Sequence, residues 1–246
     1  MDDWIQAGLA SPLALFLAGS VLLYALATST WYGLTKVRPT SPLHLSLARL
    51  VGSLLFYLGI PYLALGGWPR RPLQGLLSPV DLGLVGPGAV WPVTRWLEAL
   101  STSLGVGLLT FLVLYLAWKS ARRGENNPPT FPARPVWMLL IEGLFLEVHW
   151  AFYRGGLAVL LDDVYLGVFA GLALVYVEGG LNPSWRDGWR DPSQGVVHWF
   201  RAGLALASSL LFLLTRNLWG CLLMHWLVEI VFWRLFSPSE PHAQRI

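Results

Sequence analysis

The sequence predicts an all-α protein, a polytopic transmembrane helical bundle of about seven spanning helices. Hydrophobic residues make up 55% of the chain and charged residues only 13%, about half the charged share of roughly 25% that a soluble domain carries. Mean hydropathy is +0.54. The apolar residues also fall in long runs close to the ~20 residues that a helix needs to cross a bilayer core.

The runs lie at 12–34, 43–68, 97–118, 136–161, 164–181, 196–214 and 218–236. Met1-Asp2-Asp3-Trp4 precedes the first. It lacks the basic opening of a secretory signal, and the run lacks a small-residue cleavage site, so a retained helix is expected. Between the second and third runs, residues 73–96 carry Pro79, Gly83, Gly86, Pro87, Gly88 and Pro92. These breakers predict an interfacial or re-entrant segment. Residues 1–135 then hold the N-terminal helices, 136–236 a core of four helices, and 237–246 a short polar tail.

Within that core, adjacent Asp162 and Asp163 between two apolar runs mark a helix turn near water, the cheapest place for two carboxylates. Thr215-Arg216-Asn217 marks the next tight turn. Residues 182–192 read as a polar loop with two Trp-Arg-Asp triplets, whose tryptophans fit interfacial anchors better than a substrate-facing role. Gly167 and Gly171 form a GxxxG, the spacing of close helix packing. Cys221 is the single cysteine, which excludes an intrachain disulfide and a thiolate metal cluster.

Orientation follows from the basic residues of the short loops. With the N-terminus outside, Lys36, Arg38, Lys119, Arg122, Arg123, Arg134, Arg186, Arg190, Arg234 and Arg245 lie inside. Arg70, Arg71, Arg95, Arg154 and Arg216 lie outside. The expectation is a multi-pass protein with its N-terminus out and its C-terminus cytoplasmic. A net charge of +3 spread over loops argues against nucleic-acid binding.

Ionisable groups inside such runs are costly and mark function by default. His149 lies 13 residues before Asp162, and Glu178 lies 15 after Asp163; both sit roughly 20 Å from one membrane face at ~1.5 Å per residue. His225 and Glu229 follow Asn217 by 8 and 12 residues, at about 12 and 18 Å. The four therefore share a band. His225 and Glu229 are also i, i+4 on one helical face. Glu142 shares a face with His149, and Glu147 with Arg154, the last two being the expected structural ion pair. His44, His198 and His242 fall at helix ends or in the tail and read as interfacial or solvated.

Two imidazoles and two carboxylates in low dielectric suit metal-assisted hydrolysis, with a divalent metal such as zinc on His149, Glu178, His225 and Glu229 and an open position for water. They equally suit a metal-free mechanism in which a buried carboxylate activates water. Interhelical hydrogen bonding alone is the simpler alternative for any one of them.

The segments His149-Trp-Ala-Phe-Tyr-Arg154-Gly155 and Thr215-Arg-Asn217-Leu-Trp219-Gly-Cys-Leu-Leu-Met-His225-Trp-Leu-Val-Glu229 resemble the CAAX-protease and bacteriocin-processing family of intramembrane endopeptidases, which includes the type II CAAX prenyl proteases. The resemblance covers roughly residues 136–236. That family carries Glu-Glu-x-x-x-Arg-Gly, then Phe-x-x-x-His, then a Thr-Gly-Asn-Leu-Trp-like turn leading to His-x-x-x-Asn or Asp. Aligned on Arg154-Gly155, His149 stands at the family's catalytic glutamate and Trp150 at the second. Leu174 and Glu178 stand at its Phe and His, and Glu229 at its Asn or Asp. Glutamate and histidine are thus exchanged between the fourth and fifth helices.

The resemblance implies that Glu178 and His149 activate water, and that His225 and Glu229 orient it, bind a metal or stabilise the oxyanion. Arg154 would fix the fourth helix. An ionised Glu229 only accepts hydrogen bonds, which favours a metal-ligand role over that of an amide. The substrate implied is a membrane-anchored or lipidated peptide, reached among membrane lipids. The competing expectation is a catalytically silent membrane scaffold, assembly factor or complex subunit with a membrane protein partner. Paired axial ligation of haem by His149 and His225 has no supporting motif, and no repeated pair of broken helices suggests a transporter.

Overall fold

A computed structural model of the chain describes residues 11–37, 50–66, 76–86, 90–121, 131 and 134–236, and every regular element among them is helical. The helices are α1 Pro12–Val37, α2 Leu50–Leu65, α3 Val93–Ala121, α4 Val136–Leu161, α5 Val164–Leu181, α6 Pro183–Arg190, α7 Pro192–Thr215 and α8 Leu218–Phe236. Six of these, α1, α3, α4, α5, α7 and α8, are long and apolar enough to cross a membrane, and α2 is a shorter apolar helix. The protein is a multi-pass integral membrane helical bundle. His44, His242, the tail 237–246 and Arg38, Arg70, Arg71, Arg122, Arg123 and Arg245 lie outside the described residues.

The Asp162-Asp163 turn divides its work between the two carboxylates. Asp162 takes the left-handed conformation that ends α4, φ 50°, which a short polar side chain tolerates. Asp163 caps α5, its carboxylate accepting from Leu166 N at 2.9 Å, a contact worth about 1 kcal/mol. Beyond this turn α4 and α5 meet at backbone distance. A Cβ on Gly167 would stand 2.2 Å from Ala158 Cα, and one on Gly171 2.8 Å from Arg154 N. The GxxxG is therefore an intrachain contact that locks the α4–α5 hairpin.

The turn before α8 is built alike. Arg216 is left-handed at φ 53°, and Asn217 Oδ1 accepts from Trp219 N and Gly220 N at 2.9 and 3.2 Å. Residues 76–86 are turns that pack on these helix ends. Leu218 N donates to Gly83 O at 2.9 Å, and Trp219 Nε1 to Leu84 O at 3.0 Å. Gly83 is required there, because its φ is +71° and a Cβ would meet Arg216 O at 2.7 Å.

One sequence expectation needs correction: residues 183–190 form the helix α6 instead of a loop. Asn182 caps it, accepting from Ser184 N and Trp185 N at 3.0 and 3.4 Å, and Pro183 occupies its first position. Asn-Pro is a helix-start signal that the polarity of the segment hid.

The central helix is α4, buried on two sides. Against α3, α5, α7 and α8 it joins a cluster that includes Leu139, Trp150, Leu204 and Phe232; against α1, α2 and residues 77–82 it buries Phe152 and Tyr153 with Leu17, Ile60 and Leu82. The outward leucines of α1 and α3, such as Leu26 at 67% and Leu108 at 72% exposed, suit lipid as solvent. The chain ends of α1, α3, α5 and α8 and the starts of α4 and α7 share one end of the bundle, so Lys36, Lys119, Arg134, Arg186 and Arg234 gather there. Arg95 and Arg216 lie at the other end. Arg154, counted above as a loop charge, is instead 1% exposed within α4.

Candidate functional site: two buried histidine–carboxylate pairs

Of the four residues placed in one band by depth, His149 and Glu178 form one contact and His225 and Glu229 another. His149 Nε2 lies 3.1 and 2.9 Å from Glu178 Oε1 and Oε2. Tyr153, one turn beyond His149 on α4, donates to Glu178 Oε1 at 3.0 Å and shares a 3.1 Å hydrogen bond with Ser20 of α1. The imidazole is held in an aromatic cage: Phe56 and Tyr57, from a π-helical stretch of α2 at Leu55–Gly59, stand 4.9 and 5.0 Å from its centroid, and Tyr153 stands 4.5 Å away. Its Nδ1 is buried without a hydrogen-bond partner.

His225 sits between two carboxylates. Its Nδ1 is 2.9 Å from Glu147 Oε1, and its Nε2 is 3.4 Å from Glu229 Oε2. The second oxygen of Glu147 accepts from Arg154 Nη2 at 3.2 Å and from Ser208 Oγ at 2.6 Å, while Arg154 Nη1 donates to Ser208 at 2.8 Å. Glu147 is thus both Arg154's partner and the hub of a network on α4, α7 and α8. Neither Glu229 oxygen has a hydrogen-bond partner. Cys221 Sγ, also buried, donates to Ser208 O at 3.5 Å.

A cavity of about 640 Å³ runs among α1, α2, α4, α5, α6 and α7, and both His149 and Glu178 line it. That volume falls within the range of small-molecule sites. Trp150 also lines it and stacks on His225, ring centroids 5.4 Å apart at 24°. At the basic end the wall includes Arg134, Glu142 and Arg201. His198, expected to be interfacial or solvated, packs against Trp185 and Trp189 at 4.9 and 5.8 Å near the start of α7 and lines the same cavity. Trp185 turns inward to the cavity and Trp189 is partly exposed.

A catalytic zinc takes three protein ligands and leaves a position for water. Among the described residues no three His, Cys, Asp or Glu side chains are placed to hold one ion. The two carboxylates nearest His225 lie on opposite nitrogens of its ring, and Glu178 meets His149 with both oxygens. The four residues expected to share a metal meet as two pairs, His149 with Glu178 and His225 with Glu229.

Sequence reasoning missed Tyr57, Tyr153 and Ser208, because hydroxyl residues in apolar helices are ordinary. It also missed the second bond of Glu147. That bond had a signal: Glu147 and Arg154 alone leave one carboxylate oxygen unspent in a region without water. No family model, curated protein or solved structure matches the chain.

Proposed function

We propose that this chain is an intramembrane endopeptidase that hydrolyses a membrane-anchored or lipidated peptide, with His149 as general base and Glu178 as the residue that orients it. The observation that carries this reading is the contact of His149 Nε2 with both Glu178 oxygens on the wall of the cavity. A carboxylate that accepts the Nε2 proton fixes the tautomer whose Nδ1 carries a lone pair, and Nδ1 is the unpartnered nitrogen. His149 then takes a proton from water as water attacks the peptide carbonyl, and returns it to the leaving amine. Glu178 stabilises the imidazolium formed between the two steps. Tyr153 holds the carboxylate in register.

The exchanged Glu–His pair accords with the family resemblance, which supplies the reaction class. The basic end of the bundle is assigned to the cytoplasm by the positive-inside rule, with the N-terminus outside. The step needs no metal from the residues named. Glu147, Arg154 and His225 have a supporting role in this reading, fixing α4 against α7 and α8.

The test uses purified protein in proteoliposomes with a library of lipidated and single-span peptides in water enriched in heavy oxygen. Hydrolysis places the label in the new carboxyl terminus, read by mass spectrometry. Wild type and Arg95→Gln, an exposed site, should give labelled products, and His149→Ala and Glu178→Gln should not. Equal products from wild type and Glu178→Gln would overturn the assignment. No product from any of them would leave the silent-scaffold reading as the better account.

A further inference from the structure

At the basic end of the cavity two arginines converge on a single oxygen. Arg134 Nη1 and Arg201 Nη2 lie 2.6 and 2.8 Å from Glu142 Oε2. The three side chains sum to one positive charge, and Arg201 Nε is buried with no hydrogen-bond partner. A guanidinium left with spare donors inside a membrane protein is costly, and such groups face partners or water-filled cavities. Here they face a cavity. Arg134 and Arg201 keep 27% and 25% of their side chains exposed, enough for a ligand to reach.

The surroundings define what would complete the charge. The planar fork of arginine matches phosphate and carboxylate oxygens in pairs. Glu142 shares a face of α4 with His149, roughly 10 Å deeper along the axis, and between them the wall carries Phe145, Leu146 and Val175. A polar seat at the membrane-surface end with an apolar wall running inward fits an amphiphile. Basic pockets between transmembrane helices on the basic side are where anionic lipid headgroups bind.

We propose that Arg134 and Arg201 form a seat for a phosphate anion carried by an anionic phospholipid, with Glu142 as a built-in counter-ion that the ligand displaces. The lipid's phosphate takes the guanidinium donors now shared by Glu142, and an acyl chain lies along the wall towards Trp150. The site is independent of the hydrolase reading, because the seat uses neither His149 nor Glu178.

The sign of one substitution separates a ligand seat from a structural ion cluster. Glu142→Gln removes the competing carboxylate, so binding of phosphatidylglycerol should tighten, by about tenfold for one charge-assisted contact. Arg201→Gln should weaken it about tenfold or more, and Arg134→Gln in the same direction. The measurement is native mass spectrometry of full-length protein in detergent, titrated separately with phosphatidylglycerol, phosphatidylcholine and inorganic phosphate. Variants are accepted when their elution and melting match wild type, and Arg201→Lys keeps the charge should the glutamine variant fail to fold. Preference for phosphatidylglycerol, gained in Glu142→Gln and lost with the arginines, supports the seat. Equal binding of the two lipids, or weaker phosphatidylglycerol binding in Glu142→Gln, overturns it. Binding of inorganic phosphate without phosphatidylglycerol upholds the anion seat and overturns the lipid as its source.

Discussion

Trp150 stacks on His225 with ring centroids 5.4 Å apart, and its indole is at the same time wall of the cavity that His149 and Glu178 line. Trp150, which follows His149 in the chain, therefore separates the polar pair that lines the cavity from a network, centred on Glu147, that does not. The proposed hydrolysis uses the first, and the second ties α4 to α7 and α8.

That partition predicts a chemical accessibility difference. In wild type, diethyl pyrocarbonate should leave His225, which does not line the cavity, unmodified. Trp150→Ala removes the wall, at a cost on the order of 3–5 kcal/mol for an aromatic truncation, and His225 should then be carbethoxylated. Peptide mapping reads both, and modification of His225 in wild type at native fold would contradict the partition.

Glu147→Ala strips Arg154, His225 and Ser208 of a common acceptor. Leaving a buried arginine uncompensated costs on the order of 3–5 kcal/mol, so the melting temperature in detergent should fall steeply. Glu147→Ala with Arg154→Met should recover much of the loss, because the orphaned charge goes with it. A double variant no more stable than the single would show that Glu147 acts through His225 instead.

Gly167→Ala should destabilise the hairpin more than Gly171→Ala. The added methyl meets backbone atoms of Ala158 at 2.2 and 2.3 Å in the first case and those of Arg154 at 2.8 and 2.9 Å in the second. Overpacking of this kind costs typically 1–3 kcal/mol. Thermal unfolding followed by circular dichroism ranks the two.

Under the proposed mechanism, hydrolysis by the proteoliposomes should survive exhaustive chelation followed by removal of the chelator–metal complex, because that mechanism routes the proton through His149 alone. His149→Ala should lower the rate per folded molecule by about 10²–10⁴-fold, the usual contribution of a positioned base, and should also lower the melting temperature, because Glu178 loses its imidazole partner. Loss of activity on chelation, restored by zinc, would point back to a ligated mechanism.

Six of the seven expected spans were legible because apolar length has one reading in a chain this poor in charge, the run at 43–68 giving the shorter helix α2, and the Asp162-Asp163 turn was legible because carboxylates seek water. Depth along a helix was also readable: the count from that turn put His149 and Glu178 level, and they touch. Rotation about the helix axis was not. It decides that His225 turns towards Glu147 and Trp150, and it depends on how α8 packs on α4, where Gly143 leaves room for Trp226. The caps of α6 were present as Asn182-Pro183 but were outweighed by polarity.

The network centred on α4 also sets an order for the making of the protein. Arg154 and Glu147 enter the membrane with α4, yet Ser208 and His225, the other partners of their network, lie 54 residues after Arg154 and 78 after Glu147 in the chain. Glu178 trails His149 by 29. On insertion scales a charged side chain at mid-helix costs roughly 2.5–3.5 kcal/mol, so the nascent helix is a reluctant entrant, helped mainly by Glu147 and Arg154 neutralising each other on one face. Until α7 and α8 follow, Glu147 and Arg154 have only each other within the network.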